Sequence, residues 1–149
     1  MDTVAAMRSL GGRHLCPCTG YTVRMASIIV RLKPRQDRRA RSGHPWVFSN
    51  EIDGNVASLP PGGLVDLTTA NGKFLGRGYA NPKSLIAVRI LSRNRHADLT
   101  TPEFYARRIE AALNYRTAVY PNRTAYRLIN AEADGLPGLI VDRFNDILS

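Results

Sequence analysis

Apolar positions follow two different periods along the chain. Ile28-Ile29-Val30-Arg31-Leu32-Lys33 opens apolar and then alternates apolar with basic, as a strand with one buried face does. His44-Pro45-Trp46-Val47-Phe48 is a second short run of strand formers, reached through an arginine-rich loop. Leu64–Thr69 and Lys73–Tyr79 flank Ala70-Asn71-Gly72. Asn-Gly supplies the left-handed backbone of a tight turn, so these two runs are expected to pair as a hairpin. Ser84–Leu91 reads as a further strand. Helical periodicity is almost absent before residue 98. Short strands punctuated by Gly and Pro predict a small β-barrel or sandwich.

The period then changes. Thr100 and Thr101 are alternative N-caps, Pro102 suits a first helical turn, and Glu103 is spaced for a capping box with Thr100. Tyr105, Ile109, Ala112, Leu113 and Val119 recur at helical spacing until Pro121 stops the helix. Tyr126–Ala131 and Leu139–Phe144 read as strands around Glu132–Gly138, and Ile147-Leu148 opens another after the Asn145-Asp146 turn. The fold class predicted is α+β: a small β-barrel over 26–95, then a partial α/β unit, helix plus β-hairpin, over 96–149. Residues 1–25 read as an unstructured extension, with Met25 as a natural start. Some fifty residues are too few for a secure second core, so the chain is expected to stop inside a domain.

Charge sharpens this division. The 149 residues carry 21 Lys and Arg against 12 acids, a net charge of +9. Residues 1–95 hold 15 basic and 5 acidic side chains, whereas 96–149 hold 6 and 7. The densest stretch is Arg31, Lys33, Arg35, Arg38, Arg39 and Arg41 against Asp37 alone. Arginine's planar fork binds phosphate oxygens in pairs and stacks on bases, so a polyanion is the expected partner. Arg38, Arg39 and Arg41 are the candidates for phosphate contact, and His44 for a polar RNA contact. Trp46 and Phe48 share one strand face, which is expected to be the barrel core rather than a stacking platform.

Catalytic chemistry is hard to find. Gly76-Arg77-Gly78 lacks the third glycine of a dinucleotide fingerprint, because Asn81 stands there, and it lies within a hairpin strand. No phosphate loop, nucleophile elbow or His-Glu-x-x-His zinc motif occurs. Glu132 and Asp134 sit in a turn and are expected to be structural. His14, Cys16 and Cys18 supply three zinc ligands where a structural site needs four, so no metal site is expected. Two cysteines exclude a disulfide scaffold and favour a reducing, cytoplasmic setting. No apolar run approaches a membrane span or a secretory signal, so no membrane association is expected.

Three segments occur in a recognisable order: Arg41-Ser-Gly-His44-Pro-Trp-Val-Phe-Ser-Asn50, Gly76-Arg-Gly-Tyr-Ala-Asn-Pro-Lys-Ser84, and Tyr126 through Phe144. Together they resemble the front end of the class I SAM-dependent large-subunit rRNA methyltransferase I family, which forms 5-methylcytosine in 23S rRNA. The resemblance covers about residues 26–149. It implies an RNA-binding PUA domain over 26–95, the start of a central α/β domain, and a Rossmann-like methyltransferase domain beyond the residues present. Enzymes of this kind add a cysteine thiolate to C6 of cytosine, so that C5 can accept the methyl group. Cys16 and Cys18 lie outside the resemblance, and no catalytic, cofactor-binding or metal-binding residue is assigned. S-adenosyl-L-methionine is the family's methyl donor, and this chain is not expected to bind it. The resemblance carries over 23S rRNA binding through Arg38, Arg39, Arg41 and His44, with Arg77, Tyr79 and Asn81 as secondary contacts. Gly78 and the Gly135–Gly138 turn carry over as structural. Two other readings stay open: a free-standing PUA-type RNA-binding module, and a structural protein whose basic face meets lipid or a protein partner.

Overall fold

The computed structural model describes residues 28–149. Six strands form one sheet: β1 (Ile28–Leu32), β2 (Trp46–Phe48), β3 (Ile52–Asp53), β4 (Leu64–Thr68), β5 (Phe74–Ala80) and β6 (Ile86–Ser92). Their spatial order is β2-β6-β5-β4-β1-β3, with β1 and β4 parallel and every other pair antiparallel. Laid flat, the two edge strands would stand about 24 Å apart, five inter-strand spacings. Yet β2 and β3 are adjacent in sequence, and the Ser49–Glu51 turn between them reaches at most about 14 Å. The connection therefore obliges the sheet to curl, and the barrel shape follows from chain length.

Alternation along the strands fills the barrel. Val30 and Leu32 point inward from β1, Val65 and Leu67 from β4, and Val88 and Ile90 from β6, all buried. The β4–β5 turn spans Thr69–Lys73 with Gly72 at a φ of 79°, as the Asn-Gly signal predicts. Arg38–Arg41 forms a one-turn helix, α1, where a loop is expected from the sequence. Its one apolar residue, Ala40, is buried in the barrel core and turns three arginines outward.

The second unit is a longer helix, α2 (Pro102–Val119), on a three-stranded sheet of β7 (Ala125–Asn130), β8 (Ile140–Phe144) and β9 (Ile147–Leu148). The capping box expected from Thr100 and Glu103 does not form. Thr101 is the N-cap without a side-chain capping bond, its hydroxyl donating to the Asp98 carbonyl, and the Asp98 carboxylate accepts from the Thr100 backbone N–H and hydroxyl. The buried face of α2 also differs from its apolar stripe. Ala112 and Arg116 are buried and Tyr105 is half-buried, whereas Ile109, Leu113 and Val119 are exposed. The small core joins Ala112 to Leu128, Ile129 and Leu136. Arg116 completes it through two bonds of 2.8 and 2.7 Å to the Asp134 carboxylate.

Candidate nucleic-acid interface

The outward side of α1 leads straight into β2, and the reversal between them assembles a cationic patch. Gly43, at a φ of 93°, turns the chain so that the His44 N–H donates to the Arg39 carbonyl. This sets His44 Nε2 3.2 Å from Arg39 Nη2, while the Trp46 backbone N–H donates to His44 Nδ1, also at 3.2 Å. The Arg39 guanidinium lies 4.6 Å over the Phe48 ring and 3.8 Å from Glu51. The His44 ring meets Trp46 edge-on at 5.5 Å. Arg38, Arg39, Ser42 and His44 line an open depression of about 510 Å³.

Trp46 and Phe48 do share a face, but it is not the core face. Val47 between them is the buried residue, and both aromatics are half-exposed beside the arginines. That face is covered only in part, by Glu132 bonded to Trp46 Nε1 and by the Arg39 guanidinium over the Phe48 ring. Arg93 holds the patch in place from beneath. Its guanidinium donates to the carbonyls of Ala40 (2.6 Å), Leu75 (3.0 Å) and His44 (3.0 Å). Burial pushes its pKa below the usual arginine value, and the three carbonyls compensate for the lost hydration. Sequence carries no signal for Arg93, because its partners lie 18 to 53 positions away.

The remaining candidates lie elsewhere. Arg41 shares α1 but is bonded to Asp37. Arg77 is held by both Asp66 oxygens, at 2.6 and 2.9 Å, and donates to the Ala97 carbonyl. That hydrogen-bonded pairing with Asp66 raises its pKa against the opposing effect of burial. The Tyr79 hydroxyl donates to the Pro137 carbonyl. Its pKa is raised by burial and by Glu132, with Arg89 acting in the opposite direction. Asn81 belongs to the β5–β6 turn, where its side-chain oxygen accepts from the Lys83 N–H. Arg38, Arg39 and His44 thus converge, whereas Arg77 and Tyr79 face the linker and the second unit.

Both acids of the Glu132–Asp134 turn are engaged by side chains from other elements. Asp134 pairs with Arg116, and Glu132 accepts from Trp46 Nε1 at 2.6 Å, joining the strand of the patch to the second unit. Arg108 adds a second tie, donating to the carbonyls of Leu91 and Gly135. Trp46 is the single tryptophan of the chain, so its fluorescence reports this seam. Glu132→Ala is expected to move the emission to longer wavelength and to cost about 1–2 kcal/mol, the value of a charge-assisted bond. Unchanged emission would mean that the seam does not close in solution.

Among the described residues, no helix is long and apolar enough to cross a membrane, and no group of three or more His, Cys, Asp or Glu could hold a metal ion. His14, Cys16 and Cys18 lie outside the described residues.

Comparison with known proteins bears on both units. A family model described as a PUA-like domain matches residues 30–93. Ribosomal RNA large subunit methyltransferase I of Shewanella denitrificans is 41% identical over 125 residues, covering 82% of this chain and 31% of that protein. The Aliivibrio fischeri protein of the same name is 34% identical over 122 residues, covering 80% of this chain and 31% of its own length. Among solved structures, a candidate SAM-dependent methyltransferase from Streptococcus mutans superposes with a TM-score of 0.68 at 18% identity, over 81% of this chain and 31% of that one. A candidate methyltransferase complexed with SAH gives 0.67 over 83% of this chain and 31% of its own. The structural likeness shows the fold: a PUA-like, barrel-shaped sheet followed by a helix and a small sheet. The chain spans about a third of the length of the curated relatives it matches. Residues 30–93 thus match a PUA-like domain, and about four-fifths of the chain is similar in sequence to ribosomal RNA large subunit methyltransferase I proteins over about a third of their length.

Proposed function

We propose that this chain supplies the RNA-binding part of an S-adenosylmethionine-dependent enzyme that forms 5-methylcytosine in 23S rRNA. In this reading residues 26–95 grip the RNA, residues 96–149 begin the central α/β domain, and the setting is cytoplasmic. The observation that carries it is the convergence of Arg38, Arg39 and His44 on an exposed face of the PUA-like sheet. The names of the relatives supply the class of RNA.

The described residues do not fit the methyl donor. Gly76 and Gly78 are closed off by β6: a Cβ on Gly78 would stand 1.9 Å from the Arg89 carbonyl oxygen, so no ligand can approach there. The Arg38–His44 depression presents guanidinium groups, which would repel the donor's sulfonium cation. A second depression, bordered by Tyr120, Arg123, Tyr126 and Asp146, lacks the glycine turn between strand and helix that cradles such nucleosides.

RNA binding is tested by anisotropy with a labelled 23S rRNA fragment across a salt series. Affinity should fall steeply with salt, since each phosphate contact releases counterions. Changing Arg38, Arg39 and Arg41 to Ala together should flatten the log–log slope by about two units. The sum falls short of three full contacts because Arg41 is already paired with Asp37. An unchanged slope would place the RNA on another surface.

A further inference from the structure

His44 is surrounded by more donors than an imidazole can satisfy. The Trp46 backbone N–H points at Nδ1 and the Arg39 guanidinium points at Nε2, each at 3.2 Å. A neutral imidazole carries one N–H and a cationic one carries two, whereas a guanidinium only donates. Every protonation state therefore aims at least one ring N–H at another donor. With Nδ1 accepting from the Trp46 N–H, the ring proton stands on Nε2 and faces Arg39; with Nε2 accepting from Arg39, it stands on Nδ1 instead. In the first tautomer two donors meet at Nε2, beside the open depression.

Glu51 does not answer the need. Its Oε1 lies 3.8 Å from Arg39 Nη1, and its Oε2 is engaged by the Phe48 N–H. Arg38 has no bonded partner for its guanidinium among the described residues, and it lines the same depression with Arg39, Ser42 and His44. The position is also rigid: Ala40 is buried beneath it, and Arg93 bonds both the Ala40 and the His44 carbonyls. An anionic oxygen entering from the depression would accept from Arg39 and His44 together and remove the donor–donor conflict.

We infer that Arg39 Nη2 and His44 Nε2 form a two-donor cradle for one phosphate group, with Arg38 as the flanking charge. Resting on the RNA-binding reading above, that group is a phosphodiester of the RNA backbone, held without regard to base. Each contact to an anionic oxygen is then worth roughly tenfold or more in affinity.

The test uses the 149-residue chain labelled with ¹⁵N-histidine and titrated with inorganic phosphate. The Nε2 resonance of His44 should shift saturably, and Arg39→Gln should weaken that response about tenfold. His44→Asn is the matching variant. Its short side-chain carbonyl can still accept from the N–H two residues on, as Asx turns do, but it cannot reach Arg39. With the melting temperature unchanged, His44→Asn should lose about tenfold in RNA affinity, and by the same factor for RNAs of different sequence. A loss confined to one sequence would show a base contact and overturn the cradle. RNA binding that survives both variants intact, with no phosphate shift, would overturn the cradle while the RNA-binding reading stood. Phosphate moving His44 in a chain that ignores RNA would support the cradle and defeat the RNA-binding reading instead.

Discussion

Replacing Arg116 with Ala is expected to cost the helix–sheet unit about 3–5 kcal/mol, measured by urea denaturation followed by circular dichroism. The Arg116 and Asp134 side chains are only 10% and 9% exposed, and two parallel bonds join them. Arg116 also donates to the Arg127 carbonyl, and Asp134 accepts from the Asn130 N–H at 2.6 Å. Removing the guanidinium leaves a buried carboxylate with one backbone donor in place of three. The cost is large because the charge stays behind, whatever the net worth of the intact pair. Dependence on pH provides an internal check. Burial pushes the Asp134 carboxyl up, but the Arg116 bonds, the Asn130 N–H and the Arg116 charge together bring it below the usual aspartate value. Its stabilisation is therefore full above about pH 4 and is lost as pH falls through the lowered native pKa. In the variant, burial acts with only the Asn130 bond against it, so the gap between wild type and variant should narrow on acidification. A loss below about 1 kcal/mol at neutral pH would mean that water reaches the pair.

The same pair shows where sequence reading fails. A helix face is assigned by apolar periodicity, and Tyr105, Ile109, Ala112, Leu113 and Val119 have that period. The face that packs is centred on Arg108, Ala112 and Arg116, spaced four apart, and its two arginines are bonded to carbonyls and a carboxylate from the sheet side. Periodicity counts a charged residue as solvent-facing unless a partner is known, and these partners lie beyond the helix. The strands were legible because alternation needs no such knowledge: β1, β4, β5 and β6 lie within about two residues of their expected limits. Their pairing was not, since the parallel contact of β1 with β4 joins Ile28 to Val65 across a long connection. The cationic patch was half legible. Charge density pointed to Arg38 and Arg39, but not to the reversal at Gly43 that brings His44 against them, nor to Arg93 below.

Gly78→Ala should damage the barrel, although alanine ordinarily suits a strand better than glycine does. A Cβ at this position would lie 1.9 Å from the Arg89 carbonyl oxygen, 2.8 Å from its carbon and 2.9 Å from the Ile90 Cα. All three are backbone atoms, so no side-chain rotation relieves the overlap, and β6 must move away from β5. The register between the two strands already shifts between Arg77 and Gly78, as it does where a glycine admits a close backbone approach. Overpacking of this kind costs roughly 3 kcal/mol or more, whereas Gly76→Ala meets first the Ile90 side chain, at 2.7 Å, and should cost less. Thermal unfolding of the two variants side by side gives the comparison. Because β6 also carries β2, through Arg89 opposite Trp46 and Val88 opposite Val47, displacing it should shift His44 and weaken RNA binding as well. A Gly78→Ala chain that melts within a few degrees of wild type would remove the structural account of this glycine and reopen Gly76-Arg77-Gly78 as a ligand-facing motif.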